Sequence, residues 1–196
     1  MRNKYSFSEL LKTAYSFILT KLTIPQARLV RRPIYIRGGM FEGGRNLTTG
    51  RCCRFDLEGT EETLFIGKDC EIGDMAHIVA HEKVVICDNV LIASKCFISD
   101  TNHGTYKGEI QDAPNIKPNA RKLRTSSVEI GSNVWIGENA VILAGSKIGD
   151  GCVIGANSVV SGTIPSFTIV GGVPAKILKQ YDAVTGKWIR VKNVTE

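Results

Sequence analysis

Aromatic side chains are scarce, at 7% of the residues, and histidine occurs only three times. So few rings leave no row of stacking faces for nucleic-acid bases, and the net charge of +6 by itself favours anionic ligands in general. Long hydrophobic runs are missing too. The most apolar early stretch, Ala14 to Leu22, is short and broken by polar residues, so the chain is not expected to be integral to a membrane. None of the six cysteines forms a CxxC pair and no secretory leader opens the chain, which points to a reduced cytoplasmic protein. Neither a phosphate-binding P-loop nor a GxGxxG dinucleotide fingerprint after a strand is present.

Glycine, by contrast, is plentiful, with 20 in 196 residues, a length that suits one domain. A six-residue period explains the surplus. Written in sixes from Ile130, the chain reads IGSNVW, IGENAV, ILAGSK, IGDGCV, IGANSV, VSGTIP. Ile130, Ile136, Ile142, Ile148, Ile154 and Val160 share one phase, and Val134, Ala140, Ser146, Cys152, Ser158 and Ile164 follow four places later. The pattern also runs through Ile66, Ile72 and Ile78 and, after a slip of two residues, through Ile86, Ile92 and Ile98.

Such a period fits neither the 3.6-residue helix nor simple strand alternation. It fits an all-β solenoid whose coils each have three short strands, with aliphatic side chains stacked inward from coil to coil. Small residues then sit near the corners and the glycines beside the aliphatics allow tight turns. Cys70, Cys96 and Cys152 read as packing residues in those small slots.

The spacing from Ile98 to Ile130 is 32 residues, no multiple of six, and its Pro, Asn, Gly and Lys content predicts an extruded loop over about 103–127. Phe7, Leu10, Leu11, Ala14, Phe17, Ile18 and Leu22 follow helical spacing after Ser6 and Ser8. This amphipathic helix is expected to seal the open end of the solenoid, while Lys12, Lys21, Arg28, Arg31 and Arg32 support weak peripheral membrane contact as a second reading. Residues 175–181 predict a short C-terminal helix. The expected organisation is a helical cap and lead-in over 1–37, a solenoid over 38–172, and a helix with a tail over 173–196.

The hexads, FISDTNHGTY and GGVPAKILK together resemble the hexapeptide-repeat acyltransferases from about Gly38 to Lys179. The likeness lies within the galactoside, maltose and xenobiotic acetyltransferase branch, and particularly with bacterial O-antigen and capsule O-acetyltransferases. It implies a left-handed parallel β-helix, a homotrimer, and direct transfer of an acetyl group from acetyl-CoA to a sugar hydroxyl without a metal. His103 is implied as general base, a role imidazole suits because it titrates near neutral pH. Asn102 and Asp100 are implied to orient its ring, and Gly137 or Glu138, after Trp135, to donate an oxyanion N–H.

The same resemblance lays the pantetheine arm against Ala144, Gly145, Ala156 and Ser158. It assigns Pro174, Lys176 and Lys179 to the closing turn and the CoA phosphates. Asp74, His77 and His81 are the nearby candidates for sugar contacts. The chain departs from the family at Ser161-Gly162, where members often carry a base, and at Gly73 and His81, where sugar-modifying relatives carry Asn or Asp. A serine or xenobiotic acceptor stays open as an alternative. A γ-class carbonic anhydrase would need three histidines on a metal, and His77 and His81 with His103 do not match its spacing.

Overall fold

The computed structural model describes residues 6–58 and 62–191. Its body is a parallel solenoid of three faces. The first face stacks seven parallel strands: 29–30, 48–49, 71–72, 91–92, 135–136, 153–154 and 168–171. The second stacks six (34–37, 53–57, 77–80, 97–99, 141–142, 159–160), as does the third (42–43, 64–66, 84–86, 128–130, 147–148, 163–164). Strands therefore begin at Leu29, earlier than the expected boundary at 38, because Leu29 and Val30 already pair with Thr48 and Thr49.

The repeat does what its spacing predicts. On the first face Ile72, Ile92, Ile136, Ile154 and Val170 lie in register from coil to coil, and all are buried. Phe55, Ile78, Ile98, Ile142 and Val160 form the second ladder, and Ile66, Ile86, Ile130, Ile148 and Ile164 the third. Burying each such side chain contributes about 1.5–3 kcal/mol, so a continuous aliphatic column carries the fold.

The corners are built differently from expectation. Outside glycine, left-handed backbone falls mainly on Asn and Asp, as at Asn89 (φ 58°), Asn133 (φ 58°) and Asn139 (φ 56°). The glycine after each aliphatic answers to crowding instead: a Cβ on Gly73 would lie 2.5 Å from the Ser94 nitrogen, and one on Gly137 would lie 2.6 Å from the Ala156 nitrogen.

Helix α1 spans Phe7–Thr23, with Ser6 as N-cap accepting from the Glu9 N–H. It does not seal the core with its apolar face. Its buried residues are Ser16 and Thr20, whose hydroxyls accept the Arg32 and Val30 N–H groups at 3.1 and 2.8 Å. Ile24 and Ala27, just beyond it, are the apolar residues buried at that end.

The expected C-terminal helix is a β-hairpin. Lys176–Asp182 pairs antiparallel with Thr168–Gly171, and Lys187–Arg190 pairs antiparallel with Lys179–Asp182. The last strand of the first face offers unpaired N–H and C=O groups, and satisfying them outweighs the helical propensity of AKILKQ. Tyr181 and Trp188 then stack edge to face at 5.4 Å. Residues 192–196 of the expected tail lie outside the described residues.

Candidate active site

Excess residues leave the coil at one corner, between the second and third faces. The slip of two residues falls there at 81–83, and one coil later the chain departs at Ser99 and returns at Ser127. Thr101–His103 and Leu123–Thr125 close the neck of this excursion as an antiparallel pair, with His103 opposite Leu123. Only Pro118–Ala120, a single 3₁₀ turn, is helical within it.

His103 is exposed at the end of this pair. Its backbone is well anchored. The Tyr106 hydroxyl donates to the His103 carbonyl at 2.5 Å, Arg121 donates to the Tyr106 hydroxyl at 2.6 Å, and the Gly104 N–H donates to Lys122 O at 3.1 Å. Asp112 accepts the Thr105 N–H at 2.7 Å and Arg124 donates to the Thr105 hydroxyl at 2.7 Å. The sequence does not mark these supporting residues, because nothing in the order of a loop says which side chains will meet.

Asp100 does not hold the imidazole. It is fully buried, and its carboxylate accepts the backbone N–H groups of His81, Glu82 and Lys83 at 2.7–3.0 Å. It clamps the two-residue slip to the loop exit, where its own carbonyl accepts the Ser126 N–H at 2.8 Å. Asn102 is exposed, and as the immediate strand neighbour of His103 it projects to the opposite side.

The other residues divide between corners. Ala144 and Gly145 occupy the second–third corner one coil beyond the loop, with the Gly145 N–H donated to Ser126 O at 2.9 Å. Trp135, Gly137, Glu138 and Ala156 lie on the first face or at its corner with the second. Gly137 spends its N–H on Ile154 O at 2.8 Å, so it is no oxyanion donor, whereas the Glu138 N–H has no hydrogen bond among the described residues. Glu138 Oε2 accepts the Ser94 N–H. Ser158 is buried, its hydroxyl accepting the Gly172 N–H at 3.2 Å, and so cannot line a surface groove.

Three comparisons bear on this arrangement. Residues 127–162 match the family model described as bacterial transferase hexapeptide (six repeats). The chain is 40% identical over 190 residues to the "Putative lipopolysaccharide biosynthesis O-acetyl transferase WbbJ" of Escherichia coli (strain K12), covering 96% of both chains. The chain belongs to the hexapeptide-repeat acyltransferase family.

Among other members, the galactoside O-acetyltransferase of Escherichia coli (strain K12) is 34% identical over 122 residues, 60% of this chain and 54% of that one. The crystal structure of the hexapeptide-repeat acetyltransferase VCA0836 from Vibrio cholerae O1 biovar eltor, complexed with acetyl-CoA, matches with a TM-score of 0.56. It is 26% identical and covers 76% of this chain and 71% of its own. The solenoid is thus the left-handed parallel β-helix of this family, and the enzyme is an acetyltransferase using acetyl-CoA.

In this hexapeptide-repeat enzyme the remaining polar candidates are engaged in the fold. His77, on the second face, meets Asp56 through Nε2 at 2.9 Å and packs on Phe97 with ring centroids 5.2 Å apart. Burial raises the Asp56 carboxyl, but hydrogen bonds from Arg54 and His77 outweigh it and hold it below the ordinary range. His81 Nδ1 lies 3.6 Å from Glu58. Asp74 accepts the Arg51 N–H across the first–second corner at 2.5 Å.

Pro174 lies in the turn after the last first-face strand, and Lys176 and Lys179 are exposed on the hairpin that extends it. A groove of about 330 Å³ at the first–second corner is lined by Arg51, Gly73, Asp74, Leu91 and Ser94. A second, of about 490 Å³, runs over the third face beside the loop exit, past Lys83, Cys87, Ser127 and Glu129.

Proposed function

We propose that this acetyltransferase moves the acetyl group of acetyl-CoA onto a sugar hydroxyl of a surface polysaccharide or its precursor, in the cytoplasm, with His103 as general base. The observation that carries the reading is the exposed His103 at the anchored neck of the loop, in a chain aligned end to end with a lipopolysaccharide O-acetyltransferase relative. His103 takes the hydroxyl proton as the oxygen attacks the thioester carbonyl, the Glu138 N–H stabilises the oxyanion, and the C–S bond then breaks as the proton passes to the CoA sulfur.

His103 and Trp135–Glu138 occupy different corners of one triangular coil. One chain therefore holds half a site, which supports a homotrimer in which the loop corner of one subunit faces the Trp135 corner of the next. Ala144, Gly145 and Ala156 would flank the pantetheine arm at that seam, with Pro174, Lys176 and Lys179 towards the CoA phosphates. Asp74, His77 and His81 are the proposed acceptor contacts, and Asn102 the proposed support of the base.

His103→Ala is expected to lower kcat by about 10²–10⁴ with CoA affinity unchanged. Near-normal turnover in that variant refutes the base. Mass gain on nucleotide sugars and glycans, set against serine and chloramphenicol as acceptors, tests the sugar; acetylation of only the latter two refutes it.

A further inference from the structure

Helix α1 meets the solenoid through its polar side and turns its apolar side outward. Phe7 (76% exposed), Leu11 (55%), Ile18 (60%) and Leu22 (74%) form one face, opposite the buried Ser16 and Thr20. Leu10 and Phe17 broaden that face, and at 17 residues it runs for about 25 Å. An outward apolar helix face has to be covered by something.

Charge indicates what covers it. Residues 1–37 hold eight basic residues (Arg2, Lys4, Lys12, Lys21, Arg28, Arg31, Arg32, Arg37) and a single acid, Glu9. The rest of the chain holds 17 basic and 18 acidic residues, so the net positive charge of the protein comes from its first 37 residues. Glu9 is itself neutralised, by Lys12 at 3.1 Å and Arg51 at 2.8 Å; of the eight, Arg28 pairs with Glu71 at 2.6 Å. Lys21 Nζ lies 5.5 Å from the Phe17 ring centroid and donates to the Ala27 carbonyl at 2.7 Å.

We propose that α1 is an interfacial anchor that lays Phe7, Leu11, Ile18 and Leu22 into an anionic lipid surface, with the basic N-terminal segment at headgroup level. A broad apolar face flanked by Lys and Arg is the arrangement that lies in a membrane interface. No described helix is long and apolar enough to cross a membrane, so α1 rests on the surface. Eight basic residues against one acid over 1–37 favour an anionic surface over a second protein of ordinary mixed charge. The anchor stands apart from the proposed base and acceptor, and its failure would leave both intact.

Sedimentation of the full chain with vesicles tests it. Vesicles of phosphatidylcholine with phosphatidylglycerol should bind at least about tenfold more protein than phosphatidylcholine alone, and high salt should remove the difference. Leu11→Glu with Ile18→Glu should abolish binding while melting temperature, oligomeric mass and turnover on a soluble acceptor stay as in the parent. Equal sedimentation on the two vesicle types, or none, overturns the anchor. So does loss of oligomeric mass in the double variant, which would assign the face to a second copy of this chain.

Discussion

Asp100 and His81 are joined twice: both carboxylate oxygens of the buried aspartate accept the His81 N–H at 3.0 Å, and one also takes the N–H groups of Glu82 and Lys83. Irregular backbone at the second–third corner is thereby satisfied from the following coil, at the point where the loop bearing His103 departs.

Asp100→Ala should therefore cost about 2–4 kcal/mol, since it leaves buried N–H groups unpaired, and should loosen the loop neck. Thermal unfolding checks the first and hydrogen exchange at 101–105 the second. An unchanged melting temperature would mean the clamp is dispensable.

Gly137→Ala places a Cβ 2.6 Å from the Ala156 nitrogen inside the stack, while at Gly108 nothing lies within 4 Å. The first should destabilise by about 1–3 kcal/mol and the second, at φ 82°, by about 1 kcal/mol of backbone strain. Denaturant midpoints rank them, and the reverse order would show that crowding does not set the glycine positions.

Cys53 is buried, and burial pushes its thiol up to about 11, from an ordinary 9.0. The folded state then holds that proton more tightly than the unfolded chain, so the contribution is complete below about pH 9 and is lost as pH rises towards 11. Chemical unfolding across that window should show falling stability, less steeply in Cys53→Ala. Among the six thiols Cys52 is the exposed one and should alkylate first.

The Asp56 carboxyl is lowered by Arg54 and then by His77, so these contacts contribute stability above the ordinary carboxylate range of about 4 and lose it as pH falls further. Asp56→Asn should flatten the acid limb of the stability curve. If the limb is unchanged, Asp56 and its Arg54 and His77 contacts are not what acid titrates.

The stacked core was legible because one aliphatic every six residues admits a single geometry, and His103 stood out because it sits where that period breaks. Local propensity misled at both ends. The α1 periodicity correctly predicts a helix but not which side docks, since Ser16 and Thr20 bind backbone N–H groups that exist only once the first coil has formed. At 176–182 helix-forming residues were drawn into a sheet by an edge invisible in the local sequence. Asp100 lies next to the loop, yet its partners come from the preceding coil, 17–19 residues away.

The hairpin at 176–190 also decides how the solenoid ends. A stack of identical coils would otherwise finish in an open row of amides able to recruit another molecule head to tail and grow into a fibre. Here the first face stops on an antiparallel, fully exposed strand carrying Lys187 and Arg190, against which a further parallel coil finds neither matching direction nor a neutral surface. Head-to-tail growth along the first face would thus meet a strand of the wrong direction.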